Sequence, residues 1–229
     1  MKYQTVIQGR FLSRPNRFIA YVEIDGKEEI CHVKNTGRCK ELLIPGATVY
    51  LEPAANPERK TKYDLIAVEK TTEGGIKLIN MDSQAPNRVF LEWAPKFFGE
   101  NAQIIPEKKY KNSRFDCYVE SEDGRHHFVE VKGVTLEKDG VVSFPDAPTQ
   151  RGIKHIFELC DCVKNGFSAY LFFVIQMKDV KYFTPNRKTH PEFADALLQA
   201  KQAGVKIYAV DCDITSDSMT IHDFVETIL

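Results

Sequence analysis

Short runs of alternating apolar and polar residues fill the first eighty positions of the chain, which is the pattern of half-buried β-strands. Turn-forming pairs such as Asp25-Gly26 and Pro45-Gly46 separate the runs. The pattern predicts strands at residues 3–11, 18–24, 29–33, 48–53, 64–70 and 76–79. Five or six short strands in so small a span are typical of a closed barrel, and an OB-like barrel fits this size.

The pattern changes beyond a joint at residues 80–84. Apolar residues at helical spacing predict helices at residues 85–98, 150–164 and 191–203, and in the second helix we expect the core-facing residues to be Ile153, Ile156, Phe157 and Cys160. Further strands are predicted at residues 103–110, 141–144, 168–176 and 206–212, and the last two are apolar enough to be buried on both faces. Strands alternating with helices predict an α/β domain at residues 83–229 after an OB-like domain at residues 1–82, hence an α+β chain overall.

A predicted β-hairpin at residues 113–134 turns around residues 122–125. Its apolar residues fall on odd positions, which predicts one buried face formed by Phe115, Cys117, Val119, Val129 and Val131. Both strands share that face only if paired residues have numbers of equal parity, so the connection must hold an odd number of residues or a bulge. Asp116, Glu130 and Lys132 would then lie together on the other face, whereas a two-residue turn would scatter them.

Two carboxylates and an ammonium group on neighbouring strands suit phosphodiester hydrolysis. The carboxylates of Asp116 and Glu130 are hard ligands for Mg²⁺ or Mn²⁺, and Lys132 can steady a phosphate or activate a water. An acid two positions before a lysine occurs five times in this chain, so the motif alone says little. Glu107, one strand upstream, is either a third metal ligand or a solvated neighbour of Lys108 and Lys109.

Two segments carry donors suited to phosphate groups. Between the third and fourth predicted strands, an Asn-Thr-Gly turn is surrounded by basic residues, and the candidates there are Lys34, Asn35, Arg38 and Lys40. The second predicted helix has Thr149 as its N-cap and carries Arg151, Lys154 and His155 in its first turns, where free backbone amides favour an anion. Chance clustering of surface lysines and a helix-surface role for His155 are the alternatives.

Composition limits the partners and the compartment. The 229 residues are 43% hydrophobic with a net charge of −1, but residues 1–80 carry +3, residues 81–188 carry +1 and residues 189–229 carry −5, so a polyanion should avoid the C-terminal segment. The six cysteines are scattered and several occupy apolar strand positions, which suggests reduced thiols in the core. Cys160 and Cys162 lack a second pair at zinc-site spacing, so we do not expect a zinc site there. The N-terminus does not resemble a signal peptide and no apolar run reaches membrane-spanning length, so we expect a soluble, cytoplasmic protein without a membrane partner.

The chain resembles the sugar fermentation stimulation protein family of bacteria and archaea. The resemblance covers nearly the whole length and rests on four motifs, which are Asn35-Thr36-Gly37-Arg38 with Glu41-Leu42-Leu43, Ser113-Arg114-x-Asp116, Glu130-Val131-Lys132-x-Val134-Thr135 and Phe144-Pro145-Asp146-Ala147-Pro148-Thr149-x-Arg151-Gly152-x-Lys154-His155. It implies an N-terminal OB-like domain, a C-terminal domain similar to PD-(D/E)xK nucleases, DNA binding without strong sequence preference, and a link to maltose metabolism genes.

Carried over by position, the nuclease signature falls on Asp116, Glu130 and Lys132, and Arg114 joins the nucleic-acid-binding candidates. Pro145-Asp146 is not the dipeptide of the signature, because the matching aspartate follows Phe115. The leading hypothesis is a sequence-nonspecific DNA-binding protein with a Mg²⁺-dependent endonuclease-like site, in which the backbone carbonyl of Val131 is an additional candidate ligand for the metal. The alternatives are a DNA-binding regulator that uses the nuclease fold only for docking and, with less support, a small-molecule hydrolase or sugar sensor. The assembly, including a homodimer, is left open.

Overall fold

The computed structural model describes residues 1–35, 37–56 and 58–229. Its first part is a barrel whose strands pair in the order β3-β2-β1-β4-β5-β6, and a parallel pairing of β3 with β5 closes it. The strands are β1 (Ile7–Asn16), β2 (Ile19–Ile24), β3 (Lys27–Val33), β4 (Thr48–Pro53), β5 (Tyr63–Thr72) and β6 (Gly75–Asn80). This architecture confirms the predicted OB-like barrel.

The first strand of the barrel begins later than expected. The alternating pattern predicted a strand from residue 3, but Met1 to Tyr3 lie against the C-terminal half of the chain. The amide of Tyr3 donates to the carbonyl of Asp217 at 2.8 Å, and the Met1 ammonium group donates to the carbonyl of Met219 at 2.8 Å. Alternation alone cannot separate a barrel strand from a short segment that pairs elsewhere, because both bury every second residue.

The second part contains three helices and nine strands. The helices are α1 (Ala85–Phe98), α2 (Gln150–Lys164) and α3 (Pro191–Gln202). The strands are β7 (Gln103–Tyr110), β8 (Ser113–Glu120), β9 (His126–Val134), β10 (Glu137–Lys138), β11 (Val141–Phe144), β12 (Ser168–Ile175), β13 (Tyr182–Pro185), β14 (Lys206–Ile214) and β15 (Met219–Val225). Five predicted elements agree with the structure to the residue, namely α1, α2, β4, β7 and β11.

A six-stranded mixed sheet organises this part, in the order β15-β14-β12-β9-β8-β7. The central strands β9, β12 and β14 run parallel, and β7, β8 and β15 are antiparallel to their neighbours. A small sheet of β10, β11 and β13 lies beside it, and the sequence pattern missed both β10 and β13. The mixed sheet with flanking helices confirms the predicted second architecture.

Helices cover both faces of the six-stranded sheet. On one face, Val89, Phe90 and Ala94 of α1 share a buried cluster with Cys117 and Val129. On the other face, apolar residues of α2 and α3 share a cluster with Phe115, Phe128 and alternate residues of β12, and that cluster continues into the barrel. Each of the six cysteines is buried with a free thiol.

The buried face of α2 differs from the prediction at one position. Ile156, Leu159 and Cys160 are buried, but the expectation for Phe157 is wrong, since it is 46% exposed. His155 is buried instead, at 6% exposure. The helix is therefore rotated so that a polar histidine, and not the neighbouring phenylalanine, faces the sheet.

A buried polar network joins the barrel to the second part. The Lys34 ammonium lies 2.7 Å from a carboxylate oxygen of Asp82, whose side chain is fully buried. The Tyr3 hydroxyl also donates to Asp82, and the amide group of Gln176 donates to the Asn80 side chain at 3.0 Å and to the Asp82 carbonyl at 3.0 Å. Buried polar groups satisfied in this way hold the two parts in one fixed arrangement.

No helix among the described residues combines the length and the apolar character required to cross a membrane.

Candidate active site

The β8–β9 hairpin has the register that the alternating pattern requires. Cys117 pairs with Val129 and Glu120 pairs with His126, so paired residues have equal parity, and the five-residue connection at 121–125 is odd in number. This register places Asp116 and Glu130 opposite each other at the point where the regular pairing of β8 with β9 ends. The predicted juxtaposition of the two acids is therefore present in the fold.

One residue of the predicted apolar face lies elsewhere. Phe115 does not join Cys117 and Val119 but packs on the α2 side, with its ring 5.5 Å from that of Phe128 and 6.1 Å from that of His155. Strict alternation would place Phe115 and Cys117 on one face, so β8 departs from a regular pleat around Asp116. Asp116 consequently sits at a distortion between the two strands.

Asp116 is held by two neutral donors. The side-chain amide of Asn87, near the start of α1, donates to Oδ1 at 2.8 Å, and the backbone amide of Val131 donates to Oδ2 at 2.8 Å. Burial raises the pKa of Asp116, and the negative charge of Glu130 raises it further, against the lowering effect of these two hydrogen bonds and of Lys132. The amide that donates to Oδ2 belongs to Val131, the residue after Glu130, so the two acids are neighbours across the strand pair.

Glu130 is buried, and its two oxygens have different surroundings. Oε1 accepts from the Lys132 ammonium and from Nδ1 of His155, the latter at 2.5 Å. Burial would raise the pKa of Glu130, but the hydrogen bond from His155 and the charge of Lys132 outweigh it and lower the pKa. Oε2 is buried without a hydrogen-bond partner among the described residues.

These surroundings fit a hard divalent cation. A buried carboxylate oxygen without a partner is costly unless a cation or donor approaches it, and the half-buried carboxylate of Asp116, with a raised pKa, lies opposite Glu130 in the strand pairing. Within the described residues, no group of three or more acidic, histidine or cysteine side chains is arranged to hold a metal ion. The protein would therefore supply two carboxylates, Asp116 and Glu130, and leave further positions for backbone oxygen, water or substrate, as Mg²⁺ sites commonly do.

The two outer candidates on the β7–β8 hairpin face solvent. Glu107 lies opposite Asp116 in the β7–β8 register, between the pairs Pro106–Cys117 and Lys108–Phe115. Its carboxylate is 3.4 Å from the Arg114 guanidinium, and both side chains are about two-thirds exposed. This contact matches the alternative of a solvated charge pair, and the role of Glu107 as a metal ligand stays a prediction.

In the basic loop between β3 and β4, some of the candidate side chains make internal contacts and others face solvent. The Lys34 side chain turns inward to Asp82, and the Asn35 carboxamide accepts from the amide of Gly37 at 2.7 Å, whereas Arg38 and Lys40 are exposed. Thr36 of the predicted turn lies outside the described residues. Arg38 and Lys40 are thus the two members of this set whose side chains are available for a phosphate.

Sequence reasoning missed the residues that hold this loop in place. The Arg14 guanidinium donates to the carbonyls of Asn35, Gly37 and Arg38 at 2.7, 3.0 and 2.9 Å, and the Arg38 amide donates to Asp146 at 2.9 Å. Arg14 therefore shapes the loop, and Asp146 fastens it to the second part of the molecule. Both residues had a sequence signal of another kind, since Asp146 lies within the long motif before α2 and Arg14 belongs with Arg10 and Arg17 to a group of arginines that could extend the basic patch of this loop.

The start of α2 is built as expected, with one change. The Thr149 hydroxyl accepts from the Gly152 amide at 3.0 Å, and Arg151 and Lys154 are exposed. Lys154 lies 3.8 Å from Glu158 on the same helix. His155 faces Glu130 and not solvent, so a direct contact with nucleic acid stays a prediction that its burial does not favour.

Comparison with known proteins identifies relatives along the whole chain. Residues 12–78 match the family described as the SfsA N-terminal OB domain, and residues 84–218 match the sugar fermentation stimulation protein RE domain. A sugar fermentation stimulation protein homolog of Desulfitobacterium hafniense strain Y51 is 62% identical over 226 residues, which cover 98% of this chain and 97% of the relative. A homolog of Clostridium beijerinckii is 58% identical over 231 residues that cover both chains completely.

A solved structure agrees with the fold. The structure of Pyrococcus furiosus SfsA in complex with Ca²⁺ superposes with a TM-score of 0.87 at 29% sequence identity, covering 100% of this chain and 98% of the other. The OB barrel, the mixed sheet and the identity to these relatives lead to one conclusion: the chain belongs to the sugar fermentation stimulation protein family.

Proposed function

We propose that this protein binds DNA without strong sequence preference and hydrolyses phosphodiester bonds at a divalent-metal site of the PD-(D/E)xK nuclease type. The observation that carries the proposal is the pair of carboxylates at the end of the β8–β9 pairing, one half-buried and one buried, with Oε2 of Glu130 left without a hydrogen-bond partner among the described residues. A surface ion pair would not place an acid with a raised pKa beside a buried oxygen of this kind.

Asp116 and Glu130 would hold Mg²⁺ or Mn²⁺ in this proposal. When bound, the cation would offset negative charge on the phosphate in the transition state. Asn87 and the Val131 amide fix the direction of the Asp116 carboxylate, so the ligand is oriented before a metal arrives. The Ca²⁺ named for the Pyrococcus furiosus relative supports a hard divalent cation in this family, without specifying Mg²⁺.

Lys132 is proposed to act on the substrate. Its ammonium group donates a hydrogen bond to Oε1 of Glu130, and the other oxygen of the same carboxylate, Oε2, is the one that would bind the metal. From there the ammonium group can steady a non-bridging phosphate oxygen, and only as the neutral amine, after giving up its own proton, would Lys132 take the proton of the attacking water. The positive charge of Lys132 would thus have two roles, since it compensates the charge of Glu130 in the free protein and contacts the phosphate during the reaction.

The DNA-contacting surface is proposed to include four exposed basic residues near this point, Arg38, Lys40, Arg151 and Lys154. Arg38 and Lys40 stand on a loop that Asp146 ties to the segment before α2, while Arg151 and Lys154 stand on the first turns of α2. The barrel loop and the helix start thus lie on connected segments of the two parts. Phosphate contacts of this type position the backbone without reading sequence.

The test is a plasmid-nicking assay with Mg²⁺ or Mn²⁺. The wild-type protein is expected to convert supercoiled plasmid to open-circular and linear forms, and Lys132→Ala to lose that activity by a factor of about 100 or more. Lys201→Ala, an exposed lysine in the last turn of α3, is the matched control and should retain activity. Undiminished nicking by Lys132→Ala would refute the assigned mechanism.

A specific observation also favours the non-catalytic alternative, a DNA-binding regulator. The charge of Glu130 is already compensated by Lys132 and His155, so the fold does not depend on a metal to neutralise it. This alternative predicts salt-sensitive DNA binding that is independent of divalent cations and leaves plasmid intact.

A further inference from the structure

His155 occupies a position that the sequence did not indicate. It lies in the second turn of α2, and its imidazole points into the sheet with 8% of the side chain exposed. Nδ1 is 2.5 Å from Oε1 of Glu130, and the Phe115 ring packs against the imidazole at a centroid distance of 6.1 Å. The burial excludes the ring from the surface that a DNA backbone could reach.

The elements around His155 fix its position. The Thr149 cap sets the start of α2, and a side chain at Gly152 would come within 3.1 Å of Phe193 and 2.9 Å of Thr149, so the glycine allows α2 and α3 to approach closely. Ile156 and Leu159 are buried below it. The helix therefore cannot rotate to withdraw the histidine from Glu130 without exposing those two residues.

The hydrogen bond from His155 helps to fix the orientation of the Glu130 carboxylate. A carboxylate can turn about its terminal bond, since that torsion is broad. Lys132 and His155 approach the same oxygen, Oε1, from the strand and from the helix. Two donors on Oε1 oppose that turn, and Oε2 is held in a buried position without a hydrogen-bond partner among the described residues.

We propose that His155 is the positioning residue of the metal site, which holds Glu130 so that Oε2 is presented to a divalent cation. The inference rests on the proposed metal site, but it concerns the orientation of Glu130, which exists with or without a metal. Hydrogen-bonding partners of metal ligands orient them and strengthen binding, and removing one typically weakens metal affinity by about 10- to 100-fold. His155 does not contact the substrate in this role.

Two variants separate positioning from filling of space. His155→Leu fills the same space with an apolar side chain and removes the hydrogen-bond donor. His155→Asn places an amide nitrogen at the position of Nδ1 and so keeps a donor there. The control is His127→Leu, another buried histidine of the same sheet, whose Nε2 lies 2.5 Å from the Ser121 hydroxyl and which does not contact Glu130 or Asp116. Thermal unfolding reports how far each variant is destabilised.

Calorimetric titration with Ca²⁺ measures the site without turnover of a substrate. We expect His155→Leu to bind Ca²⁺ at least about tenfold more weakly than wild type, His155→Asn within about threefold of wild type, and His127→Leu like wild type. Wild-type affinity in His155→Leu overturns the inference. A general loss of fold would weaken the histidine control as well, whereas a loss of positioning would not.

Crystal structures of the metal-free wild type and variants give a readout that does not depend on the metal. Glu130 should keep its orientation in His155→Asn and turn or become disordered in His155→Leu. An unchanged Glu130 in His155→Leu overturns the inference even if the protein cleaves DNA. Conversely, absence of Ca²⁺ binding by the wild type would refute the proposed metal site, while movement of Glu130 would still support His155 as its positioning residue.

Discussion

At the scale of single residues, the candidate site consists of charged groups whose burial is only partly compensated. Glu130 has two donors on one oxygen and none among the described residues on the other, while Asp116 carries a raised pKa although two amides donate to it. Such unequal compensation is common where a ligand completes the set, and it costs stability when the ligand is absent. The same reasoning applies to any buried titratable group outside the site.

His127 provides a residue-scale prediction of pH dependence. Burial lowers its pKa from the ordinary 6.5 to about 4, since Nδ1 has no partner among the described residues and the ring packs against Phe98 and Tyr170. In the unfolded chain the imidazole binds a proton below pH 6.5, while in the fold it does so only near pH 4. Its contribution to the free energy of unfolding is therefore fully present above pH 6.5 and is lost as the pH falls towards 4, by about 3 kcal/mol in all.

Urea unfolding between pH 7.5 and 4.5 measures that loss. Carboxylates with lowered pKa values, such as Asp64 and Glu137, also begin to reduce stability near the lower end of this window, but they are the same in both proteins and cancel in the comparison. The wild type should lose more stability across the window than His127→Gln, whose side chain does not titrate. Equal slopes for the two proteins would show that His127 is not held neutral by burial.

Whether the sequence predicts the face on which a side chain lies depends on whether that face is fixed by local pattern or by distant packing. The parity of apolar positions placed Asp116 and Glu130 together, because a hairpin register is set by the number of residues in its turn. The burial of His155 could not be predicted in the same way, since its neighbour Phe157 is the better apolar candidate and only packing against the sheet selects the face of α2. Lys34 is a similar case, because its buried partner Asp82 is distant along the chain.

At the scale of elements, the rotation of α2 gives a prediction that compares two neighbouring residues. Ile156 is 1% exposed and Phe157 is 46% exposed. Ile156→Ala should therefore lower the free energy of unfolding by about 3 kcal/mol, because it opens a cavity in the core. Phe157→Ala should change it by less than about 1 kcal/mol, although phenylalanine is the larger side chain. Chemical denaturation of the two variants checks this, and a larger loss for Phe157→Ala would mean that the helix faces the sheet differently.

The elements that the sequence predicted well are those whose signals are local. Helix α2 has a capping threonine and a long apolar stripe, and β12 is a nearly continuous apolar run. The missed strands β10 and β13 have two and four residues, and β13 ends in a proline. Strand β10 pairs with β11 across the turn at residues 139–140, and its two residues are too few to show alternation. Strand β13 pairs with β11 from about forty residues away, so nothing near it in the sequence indicates a partner.

At the scale of the whole molecule, the barrel and the mixed sheet share one continuous core and are locked by buried polar contacts. This arrangement predicts that two lysines of the same basic loop have different functions. Lys34→Met should lower the free energy of unfolding by on the order of 3 kcal/mol, because it leaves the fully buried Asp82 carboxylate without its counter-ion. Lys40→Met should leave stability unchanged within about 0.5 kcal/mol and weaken DNA binding, since its side chain is exposed.

Thermal unfolding and fluorescence-anisotropy titration of a labelled DNA duplex, at one salt concentration, separate the two effects. If Lys34→Met were as stable as the wild type and weakened DNA binding as much as Lys40→Met, the inward ion pair would not describe the protein in solution. In the proposed function, this arrangement of barrel and sheet would let residues of β9 and residues of the barrel loop act on one substrate.

The central claim is that Asp116 and Glu130 together form a divalent-metal site. Its most direct test is the anomalous difference density of crystals soaked in Mn²⁺, recorded for the wild type and for Asp116→Asn. A peak between the Asp116 carboxylate and Oε2 of Glu130 in the wild type, which disappears in Asp116→Asn, is the predicted result. A saturating soak that leaves this position empty in the wild type, or places Mn²⁺ only at other residues, would contradict it.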